Sequence, residues 1–183
     1  IPVKEAKSII HKHILLLGTE TVLLKDAGNR ILAQDIIATF PMPSFDNSAM
    51  DGFAVRAVDT KGTDQSLPVT LKMVGVSSAG SPGDITLGPG ECAQCMTGAI
   101  IPNGADAIAM VEDTSGFSDT DSVQIFQEAK IGKHIRKKGE EIQDGDVLIS
   151  KGTHITPNEI GTLATFGYGE ISVAQKPRIA IFG

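Results

Sequence analysis

Residues 43–55 read PSFDNSAMDGFAV, a run of small and polar side chains that the folding of a core does not by itself require. Prolines at 41 and 43 fix φ and disfavour helix in the residue before each, so the stretch begins as a stiff loop. Gly52 adds freedom in φ directly after a carboxylate, which predicts a bend that exposes Asp51. The stretch therefore reads as a candidate site.

The end of this stretch predicts a strand. Phe53 and Val55 alternate with Ala54, as in a half-buried strand. Two ordinary turns, at Asp46-Asn47 and Asp51-Gly52, remain the alternative explanation of the polar residues.

The stretch resembles the signature of the molybdopterin molybdenumtransferases, the MoeA family, which includes the E domain of gephyrin. Four further segments resemble elements of the same family at similar separations. They are AGNRILAQD at 27–35, TGAIIPNGADA at 97–107, RKKGEEI at 136–142 and KPRIAIF at 176–182. The last resembles the strand that opens the family's next domain, so the resemblance spans almost the whole chain.

The resemblance implies an α+β fold that is mainly β. A discontinuous α+β domain I would comprise residues 1–45 and 132–175, and a β-rich domain II would be inserted at 46–131. Residues 176–183 would begin a truncated α/β domain III, which binds the pterin in this family. The first residue is Ile1 and the last four residues are apolar, so we expect the chain to be a fragment.

Composition is that of a soluble globular protein. The chain has 183 residues, of which 41% are hydrophobic, and its net charge of −6 argues against a nucleic-acid-binding protein. No apolar run approaches the ~20 residues that cross a bilayer, and the pattern predicts a cytoplasmic protein.

The two cysteines, Cys92 and Cys95, have the CxxC spacing of half a zinc site or of a redox pair. No second pair accompanies them, and residues 91–96 are typical of a strand, in which positions three apart face opposite sides. We therefore expect packing cysteines.

Two helices are predicted from local patterns. Apolar residues recur at helical spacing before Gly18, which predicts an amphipathic opening helix. They are Val3, Ala6, Ile10, Ile14 and Leu17. Near the other end, a second helix is predicted to begin at Pro157, and Gly167 ends it. Thr156 can cap this helix, and Glu159 can bond back to the cap. Short apolar or alternating runs between Phe53 and Phe126 predict β structure.

The function implied by the resemblance is insertion of molybdate into adenylylated molybdopterin with release of AMP, dependent on Mg²⁺. It also implies a homodimer whose active site is shared between subunits, and a molybdopterin adenylyltransferase as a partner. Because the domain III half of that site would be missing, we expect this chain alone to be inactive.

The resemblance carries five site residues onto this chain. Asp51 and Thr97 would be catalytic, with Asp51 also a metal ligand, and the Thr97 hydroxyl would bond an anionic oxygen. Arg136 would bind phosphate through its planar fork, with Ser48 and Glu141 as further substrate-binding residues. Glu141 stands where the family pattern has Asp. Without the resemblance, Thr97 is an ordinary turn residue and Arg136 a solvated charge.

Two other functions stay open at this point. A non-catalytic dimerisation or scaffold module of a gephyrin-like protein would use the same loops for partner contact. An unrelated hydrolase built on Asp51 and His134 is the weaker alternative, since the sequence has no nucleophile-elbow or triad-like motif.

Overall fold

Strands outnumber helices in the structure, a computed structural model that describes residues 1–117 and 121–181. The two α-helices of the described residues are α1 (Val3–His13) and α2 (Pro157–Thr165). The strands are β1 (Thr19–Leu23), β2 (Ile36–Ile37), β3 (Asn47–Ser48), β4 (Gly52–Val55), β5 (Val69–Ser77), β6 (Glu91–Cys95), β7 (Ala107–Met110), β8 (Ser122–Ile125), β9 (Ile135–Arg136), β10 (Val147–Ile149) and β11 (Glu170–Ala174). The fold is therefore α+β and mainly β, which confirms the predicted class.

The chain divides into two compact units. The α+β unit comprises the described residues of Ile1–Phe40 and Asp144–Gly183, and the β-rich unit, Pro41–Gln143, is inserted between those two segments. Residues 41–45 and 132–143 belong to the β-rich unit and contribute hydrogen bonds within it. Met42 N–H, for example, donates to Ile142 O at 2.7 Å.

A five-stranded sheet forms the framework of the β-rich unit, with strand order β7-β4-β6-β5-β8. The β5–β6 pair is parallel and the other pairs are antiparallel. One face packs a core that includes Phe53, Val55 and Cys92, and the other packs a core that includes Ala54 and Cys95. All four residues of β4 are buried, so the expected half-buried strand is a central strand covered on both faces.

In the α+β unit, strands of its first segment pair with strands of its second segment. β1 pairs with β11, from Thr19 opposite Ala174 to Leu23 opposite Glu170, and β2 pairs with β10. The Arg30 guanidinium is buried and donates to Glu20 and to Ala174 O. These contacts join residues that lie far apart in the chain.

Helix α2 begins as the sequence predicts. Thr156 and Glu159 form a capping box and Pro157 occupies the first helical turn. Gly167, at φ +79°, follows the last turn and its N–H donates to Ala164 O at 3.1 Å. Local residues are sufficient to specify both ends of this helix.

Helix α1 is shorter than the apolar spacing predicts. It ends at His13, and Ile14 has the extended angles φ −72° and ψ 119°. None of its residues is buried, and Ile10 is 58% exposed. A helix that buries no apolar face gains no packing energy from adding another turn, so Ile14 and Leu17 lie beyond its end.

The segment 176–182, which resembles the strand that opens the family's next domain, is unpaired where the structure describes it. Residues 176–181 belong to no strand, because no neighbouring segment pairs with them there. Residues 182 and 183, part of the expected start of domain III, lie outside the described residues.

Candidate functional site

Asp51 and Thr97 are in direct contact at one end of the five-stranded sheet. Asp51 immediately precedes β4 and Thr97 follows β6, and the antiparallel register places Gly52 opposite Cys95. Asp51 Oδ1 accepts the Thr97 backbone N–H at 2.8 Å and the Thr97 hydroxyl, also at 2.8 Å. Two residues that lie 46 positions apart thus form one hydrogen-bonded pair, which we call the Asp51–Thr97 clasp.

The backbone of Asp51 is also held by the 3₁₀-helix Val111–Asp113, which follows β7. Its carbonyl oxygen accepts the Val111 N–H at 3.1 Å. A Cβ added to Gly52 would lie 2.0 Å from Ala109 O, a contact that the sheet cannot relieve. Gly52 is therefore needed for close approach of the backbone. This corrects the sequence-based explanation, since its φ lies outside the left-handed region.

The clasp favours the ionised form of the Asp51 carboxylate. The backbone N–H of Thr97, followed by its hydroxyl, lowers the pKa of Asp51 below its ordinary value, against a small opposing effect of burial. The side chain is exposed. Among the described residues, no hydrogen bond or ion pair reaches its other oxygen, Oδ2, which is therefore open to a ligand.

Ser48 lies beneath the same loop and is completely buried. Its hydroxyl donates to Met50 O at 2.6 Å and accepts the Met50 N–H at 3.3 Å. The Ser48 carbonyl oxygen accepts the Gly98 N–H at 2.9 Å. Ser48 thus fixes the shape of the loop, with its hydroxyl proton already engaged on Met50.

Arg136 stands on β9, opposite Asn47 of β3, and is exposed. No ion pair joins it to another described residue, so its guanidinium is available to an anion. The next residue, Lys137, is already paired, because its Nζ lies 2.7 Å from Asp46 Oδ2. The Lys138 N–H donates to Asp46 Oδ1 at 2.8 Å.

Glu141 is exposed in the loop that follows. Its backbone N–H donates to Met42 O at 3.1 Å. Within the described residues, no hydrogen bond or ion pair joins Glu141 or Arg136 to Asp51. The structure therefore brings Asp51 and Thr97 into contact and places Ser48 and Arg136 on the paired strands β3 and β9, with Glu141 further along the chain.

Two polar atoms near this loop are buried without a hydrogen-bond partner among the described residues, Asn47 Oδ1 and His134 Nε2. Asn47 is 8% exposed, and the His134 backbone has the left-handed φ of +59°. Sequence reasoning read Asn47 only as a turn former. Its burial depends on Ile100 and Arg136, which flank it from distant parts of the chain, so no local signal identifies it.

The two cysteines lie on opposite faces of β6 in separate cores, as the strand pattern predicts. Burial raises the pKa of Cys92 to about 12 and that of Cys95 to about 11. Both thiols are therefore protonated and unsuited to metal binding at neutral pH. Across residues 1–117 and 121–181, no three His, Cys, Asp or Glu side chains are grouped as ligands of one metal ion.

A single exposed carboxylate is nevertheless compatible with Mg²⁺. That ion usually keeps several waters and is held by one or two carboxylates together with substrate phosphates. The open Oδ2 of Asp51 has the charge and exposure of one such ligand. A cleft of about 570 Å³ elsewhere in the β-rich unit, lined in part by Asp64, Glu112 and Glu128, includes none of the five predicted site residues.

Comparison with known proteins gives consistent matches. Residues 1–167 match the family model of the MoeA N-terminal region, domains I and II. The chain is 41% identical over 181 residues to a molybdopterin molybdenumtransferase of Staphylococcus aureus strain Mu50, covering 99% of this chain and 43% of that protein. It is 40% identical over 183 residues to the protein of the same name from Bacillus subtilis strain 168, again covering 43% of it.

A crystal structure of the molybdopterin biosynthesis MoeA protein from Pyrococcus horikoshii OT3 has a similar fold. It superposes with a TM-score of 0.88 at 31% identity, over 97% of this chain and 46% of that one. The chain thus spans less than half the length of these relatives. Neither described helix is long and apolar enough to cross a membrane.

Proposed function

Since this chain belongs to the family of MoeA N-terminal regions, we propose that it is the N-terminal part of a molybdopterin molybdenumtransferase. The whole protein would insert molybdate into adenylylated molybdopterin and release AMP. This part would supply one side of a composite active site, and the remainder of the protein would supply the other side. The site would be shared between the two subunits of a homodimer.

The observation that carries the proposal is the Asp51–Thr97 clasp. A carboxylate is held by two hydrogen bonds to its Oδ1, while Oδ2 stays exposed at the end of a buried strand. Folding alone does not require a charged side chain in such a fixed position, whereas a reaction between anions needs a fixed carboxylate for a cation or a proton.

Mg²⁺ would be held in part by Asp51 Oδ2. When bound, such an ion supplies charge neutralisation of the phosphate and molybdate oxygens. Asp51 itself would position the cation, and the Thr97 hydrogen bonds that lower its pKa favour the charged form that this role needs.

Arg136 would bind the anionic substrate. Its guanidinium is exposed and has no ion-pair partner among the described residues, so it can make two parallel hydrogen bonds to a phosphate or molybdate oxygen pair. Lys137 contributes less, because Asp46 already neutralises it. Ser48 acts through the loop that it fixes, and Glu141 contributes a negative charge near the substrate. We further propose a cytoplasmic location and a molybdopterin adenylyltransferase as the supplier of substrate.

The proposal is tested in the full-length protein with Mg²⁺, molybdate and adenylylated molybdopterin, by following AMP release and molybdenum insertion. Asp51→Asn is expected to fold normally and to lose most activity. Asp64→Asn is the matched control, because Asp64 is another exposed carboxylate with a lowered pKa, held by the N–H groups of Ser66 and Leu67. Wild-type activity of the Asp51 variant would exclude the proposed role.

A dimerisation or scaffold module is the second candidate, and one observation favours it. Helix α1 has no buried residue, and the segment after it exposes Leu15 by 83% and Leu16 by 100%. Exposed apolar runs of this kind mark surfaces that contact other proteins. If Asp51 and Arg136 can both be replaced without loss of cofactor assembly, this second function is supported over the first.

A further inference from the structure

We infer that Thr97 is a positioning residue that aims the Asp51 carboxylate, and that Oδ2 of Asp51 is the only atom of the clasp that presents charge to a ligand. The inference rests on the proposed function and deepens it. It assigns Thr97 a role different from the one that the family resemblance implies, in which its hydroxyl bonds an anionic oxygen of the substrate.

The hydroxyl proton of Thr97 is already used within the clasp. A threonine hydroxyl carries one hydrogen, and an ionised carboxylate can only accept hydrogen bonds. In the 2.8 Å contact between Thr97 Oγ1 and Asp51 Oδ1, the hydroxyl therefore donates its hydrogen to the carboxylate oxygen. What remains on Oγ1 is acceptor capacity, so the Thr97 hydroxyl cannot donate to molybdate or phosphate while the clasp is closed.

The two carboxylate oxygens of Asp51 differ in their contacts. Oδ1 accepts two hydrogen bonds from one residue, the N–H and the hydroxyl of Thr97, and these fix the direction of the carboxylate. Oδ2 is left exposed and without a partner among the described residues. A cation or a hydrogen-bond donor therefore meets Asp51 through Oδ2, as a monodentate ligand.

Both partners of the clasp are themselves held by backbone hydrogen bonds. The Asp51 carbonyl oxygen accepts the Val111 N–H at 3.1 Å. On the other side, the Met96 N–H donates to Ser77 O at 3.0 Å and the Gly98 N–H donates to Ser48 O at 2.9 Å. The residues before and after Thr97 are thus tied to two different strands, so its hydroxyl has a fixed position from which to orient Asp51.

The test compares Thr97→Val, which removes the hydroxyl at nearly constant shape, with Thr97→Ser, which keeps it. Both are made in the full-length protein. The pKa of Asp51 is measured from its ¹³C carboxyl resonance, and kcat and KM for AMP release are measured across pH. Asp51→Asn is assayed in parallel.

We expect Thr97→Val to raise the pKa of Asp51, to lower kcat about tenfold and to leave KM for the pterin substrate and for molybdate within about twofold. Thr97→Ser should behave as the wild type in all these measurements.

Three results would overturn the inference. The first is a Thr97→Val protein with an unchanged Asp51 pKa and a raised KM, as expected of a residue that touches substrate. The second is a Thr97→Ser protein that shifts as much as Thr97→Val. The third is a Thr97→Val protein of wild-type activity while Asp51→Asn is inactive. Full activity of Asp51→Asn would instead refute the proposed function itself, so the two failures are distinguishable.

Discussion

Asp46 Oδ2 and Lys137 Nζ lie 2.7 Å apart and join two loops that are 91 residues apart in the sequence. The Lys138 N–H donates to the other oxygen of the same carboxylate. Asp46 therefore joins the chain before β3 to the chain after β9, at one end of the strand pair that carries Ser48 and Arg136.

Asp46→Asn is expected to lower the free energy of unfolding by only about 0.5 kcal/mol, because both side chains of the pair are substantially exposed. Urea denaturation measures this value. The Lys137 side chain, and next the Lys138 N–H, lower the pKa of Asp46. Its contribution is therefore full above the unfolded pKa of about 4 and is lost as pH falls through the folded pKa. A difference between the two proteins that persists at still lower pH would contradict this account.

Gly52→Ala should lower the free energy of unfolding by about 3 kcal/mol or more, because the added Cβ would meet the Ala109 carbonyl oxygen at 2.0 Å. Thermal unfolding followed by circular dichroism measures the effect. The matched control is Gly161→Ala. Gly161 is exposed within α2 with no atom within 4 Å of its added Cβ. That control should gain about 0.5–1 kcal/mol. Equal effects at the two glycines would exclude the close-approach explanation.

Arg136→Ala should raise KM for the anionic substrates of the full-length protein about tenfold, as expected for loss of one bidentate, charge-assisted contact. The unfolding free energy should change little, since Arg136 is exposed. Arg56→Ala serves as the control, because Arg56 already pairs with Asp59 at 3.7 Å in the same unit. A larger KM change for the control than for Arg136→Ala would argue against the assignment.

Cys92 and Cys95 should react with a disulfide reagent only when the β-rich unit opens. Their pKa values of about 12 and about 11 leave almost no thiolate at pH 8, and both thiols are buried. The labelling rate should therefore rise steeply with urea, in parallel with unfolding. Rapid labelling of the native protein at pH 8 would contradict the burial of both side chains.

The sequence predicts best where neighbouring residues decide the structure. The capping box of Thr156 and Glu159 depends on contacts three residues apart, and it was predictable in full. The opposite faces of Cys92 and Cys95 follow equally from the period of a strand. The α+β class was predictable from the family resemblance, which the fold confirms.

The errors have a common cause, which is dependence on distant residues. The burial of both faces of β4 depends on the two cores that pack on either side of the sheet, and the need for Gly52 depends on Ala109. The end of α1 at His13 reflects an absence of packing that spacing alone does not reveal. At the site, the resemblance identified Asp51 and Thr97 separately. Their mutual hydrogen bonds depend on the register of β4 against β6, which the sequence does not reveal.

The pairing of Thr19 with Ala174 determines the order in which the chain can fold during its synthesis. The α+β unit cannot complete its β1–β11 ribbon until residue 174 has left the ribosome, whereas every strand of the five-stranded sheet precedes residue 126. We expect the β-rich unit to fold first. The Met42–Ile142 hydrogen bond then brings its two ends together. A hundred-residue loop is thereby closed in advance, which reduces the entropic cost of joining the first and last segments.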